Sequence, residues 1–231
     1  MAGKKAGKGV EIRLLRETRE YTIELTSPML GTVTKDPEAY AKYIASKAPD
    51  QEDAEEEIGT VPEEEGTVEE EEKKKEKEKQ IGYTGFHKDD KTGQLFIYNY
   101  MIKGFFKAAL EVLQQNGAIK KIPAFRKWTD LLIFVEPRRI LLGLTEPDTT
   151  LERPLRINFP LPRVTITKSD VINKGRRMTF QVSLLKNSAG ITWEVLEGAL
   201  TFGEFVGLGQ WRGSGAYGRF KVIKSIKKKL K

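Results

Sequence analysis

The chain has 231 residues, 40 Lys and Arg against 33 Asp and Glu, one His and no Cys, with a formal net charge of +7. That length can bury a real core, but the absence of Cys and the single His87 exclude disulfides, thiolate metal sites, a Cys nucleophile and zinc centres built from several imidazoles. Residues 51–80 hold fourteen acidic side chains and five Lys, a net of −9, so the other 201 residues carry +16, a balance that favours a polyanionic partner.

In chain order, residues 1–18 read as a flexible basic start that no apolar run follows, so no signal peptide is expected. Residues 19–26 (REYTIELT) alternate Tyr21, Ile23 and Leu25 with polar neighbours, the period of a half-buried strand, and Ser27-Pro28 stops it. Asp36 as N-cap and Pro37 at the first helical position open a helix predicted over 36–46. The acidic insertion 51–80 has no face to bury and is expected to be disordered. It would screen a basic surface from its ligand, so its deletion is expected to tighten binding.

Order returns at Gly82. Residues 93–98 (GQLFIY) read as a short strand, and Ile102, Phe105, Phe106, Ala109, Leu110 and Leu113 have the spacing of an amphipathic helix over 100–115 that ends at Asn116-Gly117. The apolar run 131–135 (LLIFV) fits a fully buried strand and 139–144 an edge strand. Residues 151–166, with Pro154, Pro160 and Pro162, are expected to be extended but irregular. Residues 177–185 alternate again, 191–206 form a helix, 218–226 a closing strand and 227–231 a lysine-rich tail. This order argues for one α+β domain over 19–226, with helices covering one face of a mainly antiparallel sheet. No stretch approaches the roughly 20 apolar residues of a membrane span, so a cytoplasmic protein without membrane contact is expected.

The chemistry concentrates at residues 207–222, GLGQWRGSGAYGRFKV. A helix enters this loop and a strand leaves it, the reverse of nucleotide-binding glycine loops, which follow a strand and open a helix. Glycines Gly207, Gly209, Gly213, Gly215 and Gly218 would expose successive N–H groups as a nest for phosphate, with Gln210 and Ser214 among them. Trp211 and Tyr217 offer stacking surfaces for unpaired bases, and Arg212 and Arg219 offer phosphate contacts. Phe220 is expected to be core. The alternative is a tight helix-to-strand connection. Lys103 and Lys107, four apart on one helix face, and Arg153 and Arg156 in the proline-rich segment are further backbone-contact candidates.

The helix, G-x-G, five residues, G-x-x-G and strand carried by Gly207, Gly209, Gly215 and Gly218 resemble the glycine-rich loop of the RAMP superfamily, ferredoxin-like proteins that process CRISPR RNA or form the backbone of CRISPR effector complexes. YTIELTSPMLG is similar to the first strand of such proteins, and YNYMIKGFFKAAL to their Lys-Gly helix start. GLGQWR, IKGFFK and ERPLR also look like phage and prophage proteins. The resemblance implies a RAMP-type ferredoxin-like antiparallel sheet and single-stranded nucleic acid as partner, RNA favoured over DNA. It also implies assembly with further copies or with effector-complex subunits.

His87, in TGFHKDD, is the sole candidate for the His that processing members use as general acid or base; with it the chain would be a metal-independent endoribonuclease. Asp89 and Asp90 alone are too few ligands for a magnesium site. A binding role without cofactor or metal is the better expectation, with a single-stranded DNA-binding phage protein or a protein-interaction, anti-defence factor as alternatives.

Overall fold

The computed structural model describes residues 15–35, 82–157, 163–213 and 215–228. The helix expected over 36–46, the acidic insertion 51–80, Ser214 and residues 229–231 lie outside the described residues. The elements run β1 (Arg16–Leu25), β2 (Met29–Leu30), β3 (Val33–Thr34), β4 (Tyr83–Gly85), β5 (His87–Lys88), β6 (Leu95–Tyr98), α1 (Asn99–Gln115) and α2 (Phe125–Leu132). They continue with β7 (Ile133–Glu136), β8 (Arg139–Leu141), β9 (Thr149–Ile157), β10 (Arg163–Ile172), β11 (Arg177–Leu185), α3 (Trp193–Thr201), a 3-10 turn (Phe202–Glu204) and β12 (Phe220–Lys228).

The mixed α+β expectation holds, but the described strands form three sheets rather than one. The main sheet has the order β12-β1-β11-β7, every neighbour antiparallel. Alternation decides its two faces. Tyr21, Ile23 and Leu25 of β1, Met178, Phe180 and Val182 of β11, and Ile133 and Val135 of β7 are buried on one side. Against them lie Ile102, Phe105, Phe106, Ala109 and Leu110 of α1 and Leu196, Ala199 and Leu200 of α3. Phe105 meets Phe220 of β12 edge to face, ring centroids 4.9 Å apart, so the strand that leaves the glycine loop is anchored in the core, as expected for Phe220. The opposite face is polar, with Thr18–Ser183 at 2.7 Å, Thr22–Thr179 at 2.9 Å and Glu24–Arg177 at 2.8 Å across β1 and β11.

Several boundaries differ from the sequence reading. Strand β1 begins at Arg16 and β12 reaches Lys228, so parts of the expected flexible start and lysine tail belong to the sheet. Leu131 and Leu132 finish α2 instead of starting a strand, and Phe134 is 43% exposed because β7 is an edge strand buried on alternate residues only. A short apolar run does not distinguish helix from strand. The helix expected over 191–206 is α3 plus the 3-10 turn, ending at Glu204.

The described parts of 151–166, residues 151–157 and 163–166, are not irregular: β9 and β10 pair antiparallel from Thr149↔Val171 to Arg163↔Ile157, and Pro160 and Pro162 lie outside the described residues. Pro154 is tolerated because, among the described strands, β9 pairs only with β10 and lies at a sheet edge. On its other side β10 pairs with β2 and, in parallel, with β4, while β3 pairs with β4. The third sheet has the order β5-β6-β8.

Candidate nucleic-acid interface

The glycine loop joins the 3-10 turn to β12 and is closed at its neck. The Leu208 N–H donates to the Gly218 carbonyl at 2.9 Å, the Gly218 N–H to the Pro28 carbonyl at 2.7 Å, and the Thr26 N–H to the Arg219 carbonyl at 2.7 Å. The Ser27 hydroxyl accepts from the Arg219 N–H at 2.9 Å. A Cβ on Gly207 would strike the backbone of Gly218, and one on Gly218, held at φ +68, would strike the Leu208 carbonyl. Leu208 is fully buried between them. These two glycines therefore exist to let two stretches of the protein's own backbone touch, which is the connection alternative rather than the phosphate nest. The N–H groups of Leu208, Ala216, Gly218 and Arg219 are all committed within the protein, so the nest expected from the sequence is not available at those positions.

The tip is different. Nothing lies within 4 Å of a Cβ built on Gly213. Trp211 is 45% exposed and sits at φ +55, a backbone conformation costing a large side chain on the order of 1–2 kcal/mol. The Arg153 guanidinium from β9 lies 4.6 Å from the Trp211 ring and 5.4 Å from the Tyr217 ring. Tertiary folding thus brings Arg153, a separate candidate in the sequence, onto the aromatic residues of the loop. Arg212 is exposed beside them and Arg219 half-buried.

The charges here are uncompensated. The Nε atoms of Arg153 and Arg219 are buried without a hydrogen-bond partner. Among the described residues, Arg153, Arg212 and Arg219 have no carboxylate partner, whereas Arg19, Arg126, Arg139, Arg176 and Arg177 all do. Of Arg156, only the β9 backbone belongs to the described structure.

Lys103 and Lys107 are not gathered with the loop. Both reach from α1 to Asp130 on α2: Lys103 to its carbonyl at 3.3 Å and Lys107 to its carboxylate at 2.7 Å. Burial also lowers the pKa of Lys103, whose ammonium lies 5.3 Å from the Phe134 ring.

Sequence reading missed the floor of the loop. The Thr84 hydroxyl of β4 donates to Gln210 Oε1 at 3.4 Å and contacts the Ser169 hydroxyl of β10 at 3.0 Å. Alongside, Asp170, 2% exposed, takes a 2.7 Å bond from the Tyr83 hydroxyl and a 2.8 Å ion pair from Lys35. Gly85 lies beneath this pair, where a Cβ would come within 2.6 Å of the Asp170 carboxylate. The only sequence signal was Gly31 and Gly85 themselves, small residues at crowded strand positions.

His87 is half-buried on β5, stacked on Phe96 at 5.2 Å and edge-on to Tyr98 at 4.7 Å. Burial, reinforced by the Arg139 guanidinium, lowers its pKa to about 4, so at neutral pH the ring is the uncharged imidazole. Asp89 accepts from Thr92 and pairs with Arg139 at 2.8 Å, which pulls its pKa down. Among the described residues, no group of three or more His, Asp or Glu side chains is placed to hold a metal ion, and no helix is long and apolar enough to cross a membrane.

No protein-family model matches the chain, and no curated protein matches it. A solved structure that resembles it is a chain of the Type III-B Cmr-beta bound to cognate target RNA, determined by cryo-EM, with TM-score 0.49 and 12% sequence identity. The alignment covers 93% of this chain and 61% of that one, so this chain spans about three-fifths of its length.

Proposed function

We propose that this protein is a RAMP-like binder of single-stranded nucleic acid, RNA in preference to DNA, that holds its ligand at the tip of the glycine loop. The observation that carries the reading is Trp211: a large ring 45% exposed on strained backbone, stacked by Arg153, amid three arginines that no described carboxylate neutralises. A loop serving only as a connection would shed that strain with glycine, since unusual backbone persists where function requires it. Uncompensated guanidinium groups beside an exposed ring match phosphate and base on one strand, and base stacking contributes about 1–3 kcal/mol per base. A duplex would keep its base faces from Trp211.

The ferredoxin-like part of the proposal is supported by the strand order. Strands β1, β7, β11 and β12, with α1 after the first and α3 after the third, follow the β-α-β-β-α-β sequence and lie as fourth, first, third, second. The glycine loop enters the last of these strands, as the resemblance to the RAMP superfamily implies. CRISPR-associated or phage-encoded membership and assembly with other subunits belong to the same proposal.

The test is fluorescence anisotropy with labelled single-stranded RNA, single-stranded DNA and duplex at low and moderate salt, with wild type and Trp211→Ala. Tightest binding to single-stranded RNA, weakened by the substitution, is the expected result. Equal affinity for duplex, or binding indifferent to Trp211, would overturn it.

A further inference from the structure

We infer that Thr84 of β4, backed by Ser169 of β10, is a positioning residue for Trp211: it holds Gln210 and so steadies the ring that meets the nucleic acid. The inference rests on the single-strand reading above and gives a role to two residues outside the glycine loop.

Trp211 stands at φ +55, and a side chain as large as indole stays there only where the surroundings over-determine the backbone. The neck of the loop does not supply that restraint, because its hydrogen bonds fix Leu208, Gly218 and Arg219, each three or more residues away. After Trp211, Gly215 closes against the Trp211 carbonyl, where a Cβ would collide. Before it, Gly209 lies against the Leu30 carbonyl of β2, where a Cβ would come within 2.7 Å, and Gln210 reaches Thr84. Among the described residues, this last contact is the one side-chain hydrogen bond between residues 208–217 and the rest of the protein.

Strand alternation aims the pair at the loop. Tyr83 and Gly85 meet Asp170 on one face of the sheet, so Thr84 and Ser169, opposite each other across β4 and β10, turn to the other face. Ser169 is 2% exposed, and its hydroxyl lies 3.0 Å from that of Thr84. With Thr84 donating to Gln210 Oε1 at 3.4 Å, Ser169 donates to Thr84, and the relay runs from the buried strand outward. A bond of that length adds little stability. It restricts the residue next to Trp211 before any ligand arrives, and a site ordered in advance loses less freedom on binding.

The experiment titrates the full chain against a labelled oligouridylate by fluorescence anisotropy. Thr84→Val keeps the shape of the side chain and removes its hydroxyl, and should weaken binding about twofold to tenfold, the equivalent of one neutral hydrogen bond. Thr84→Ser restores the hydroxyl and should bind as wild type. In a Gln210→Ala background, Thr84→Val should cause no further loss, the signature of a residue acting through another. Melting curves record the effect of leaving the buried Ser169 hydroxyl unpaired, and titrations are run well below the lowest midpoint. Equal losses in both backgrounds, or wild-type affinity in Thr84→Val while Trp211→Ala weakens binding, would overturn the positioning role and leave the loop reading standing. If Trp211→Ala binds as wild type, the loop reading and the positioning role fall together.

Discussion

The Arg153 guanidinium of β9 lies 4.6 Å over the ring of Trp211, a residue 58 positions later in the sequence, and fixes one face of it. Replacing Trp211 with Ala is expected to weaken single-strand affinity about fivefold to a hundredfold. Thermal stability should change little, because the residue is 45% exposed and lies outside the hydrophobic core. Arg153→Lys keeps the charge but loses the planar stack, so it should weaken binding to a smaller extent. Anisotropy titrations together with melting curves separate these effects.

Arg212 is exposed at the tip and has no carboxylate partner among the described residues. If it contacts one phosphate, Arg212→Ala should reduce the slope of log affinity against log salt by about 0.7, the single-strand value per neutralised phosphate. The slope is read from titrations at four or more salt concentrations. An unchanged slope would remove Arg212 from the contact set.

The loop glycines should divide into two classes. At Gly213, where a Cβ meets open space at φ +79, alanine should cost only the backbone strain, on the order of 1–2 kcal/mol. At Gly218 the same φ sign is joined by a collision with the Leu208 carbonyl and threatens the Gly218 bond to Pro28. Gly218→Ala should therefore destabilise by several kcal/mol, about twice the Gly213 effect or more. Denaturant unfolding of the two variants measures the difference.

His87 makes a pH-dependent contribution whose sign follows from its depressed pKa. Between about 4 in the folded chain and about 6.5 when unfolded, the unfolded state binds more protons. Stability therefore falls as pH drops through this window. The loss is up to about 3 kcal/mol, since a tenfold difference in proton affinity between the two states corresponds to about 1.4 kcal/mol. His87→Phe keeps a ring for the stack on Phe96 and removes the titration. The stability difference between variant and wild type should grow from pH 7 to pH 4, measured by denaturant midpoints.

Much of the scaffold was legible in the sequence because local periodicity was enough. The alternation of Tyr21, Ile23 and Leu25 marks β1, and the spacing from Ile102 to Leu113 marks α1, because in each case one face of the element is buried and the other is not. The run 131–135 failed for the opposite reason: burial alone does not set a period, and the helix-to-strand change between Leu132 and Ile133 depends on packing against α1 and β11. The β9–β10 pairing was hidden by Pro154, which is disfavoured in a strand except at an edge, and edge status is a property of the assembled sheet.

The same division runs through the site. Composition by itself determined the basic excess, the lack of thiol and multi-imidazole chemistry, and a glycine loop bearing Trp211, Arg212, Tyr217 and Arg219. Only the tertiary structure decided which glycines serve the protein's own backbone and which face open space. It also brought Arg153 onto Trp211, tied Lys103 and Lys107 to Asp130, and set Thr84, itself bonded to Ser169, against Gln210 of the loop. Residue type states what a side chain can do, but charge compensation and close approach depend on partners distant in sequence, which meet only when the strands pair.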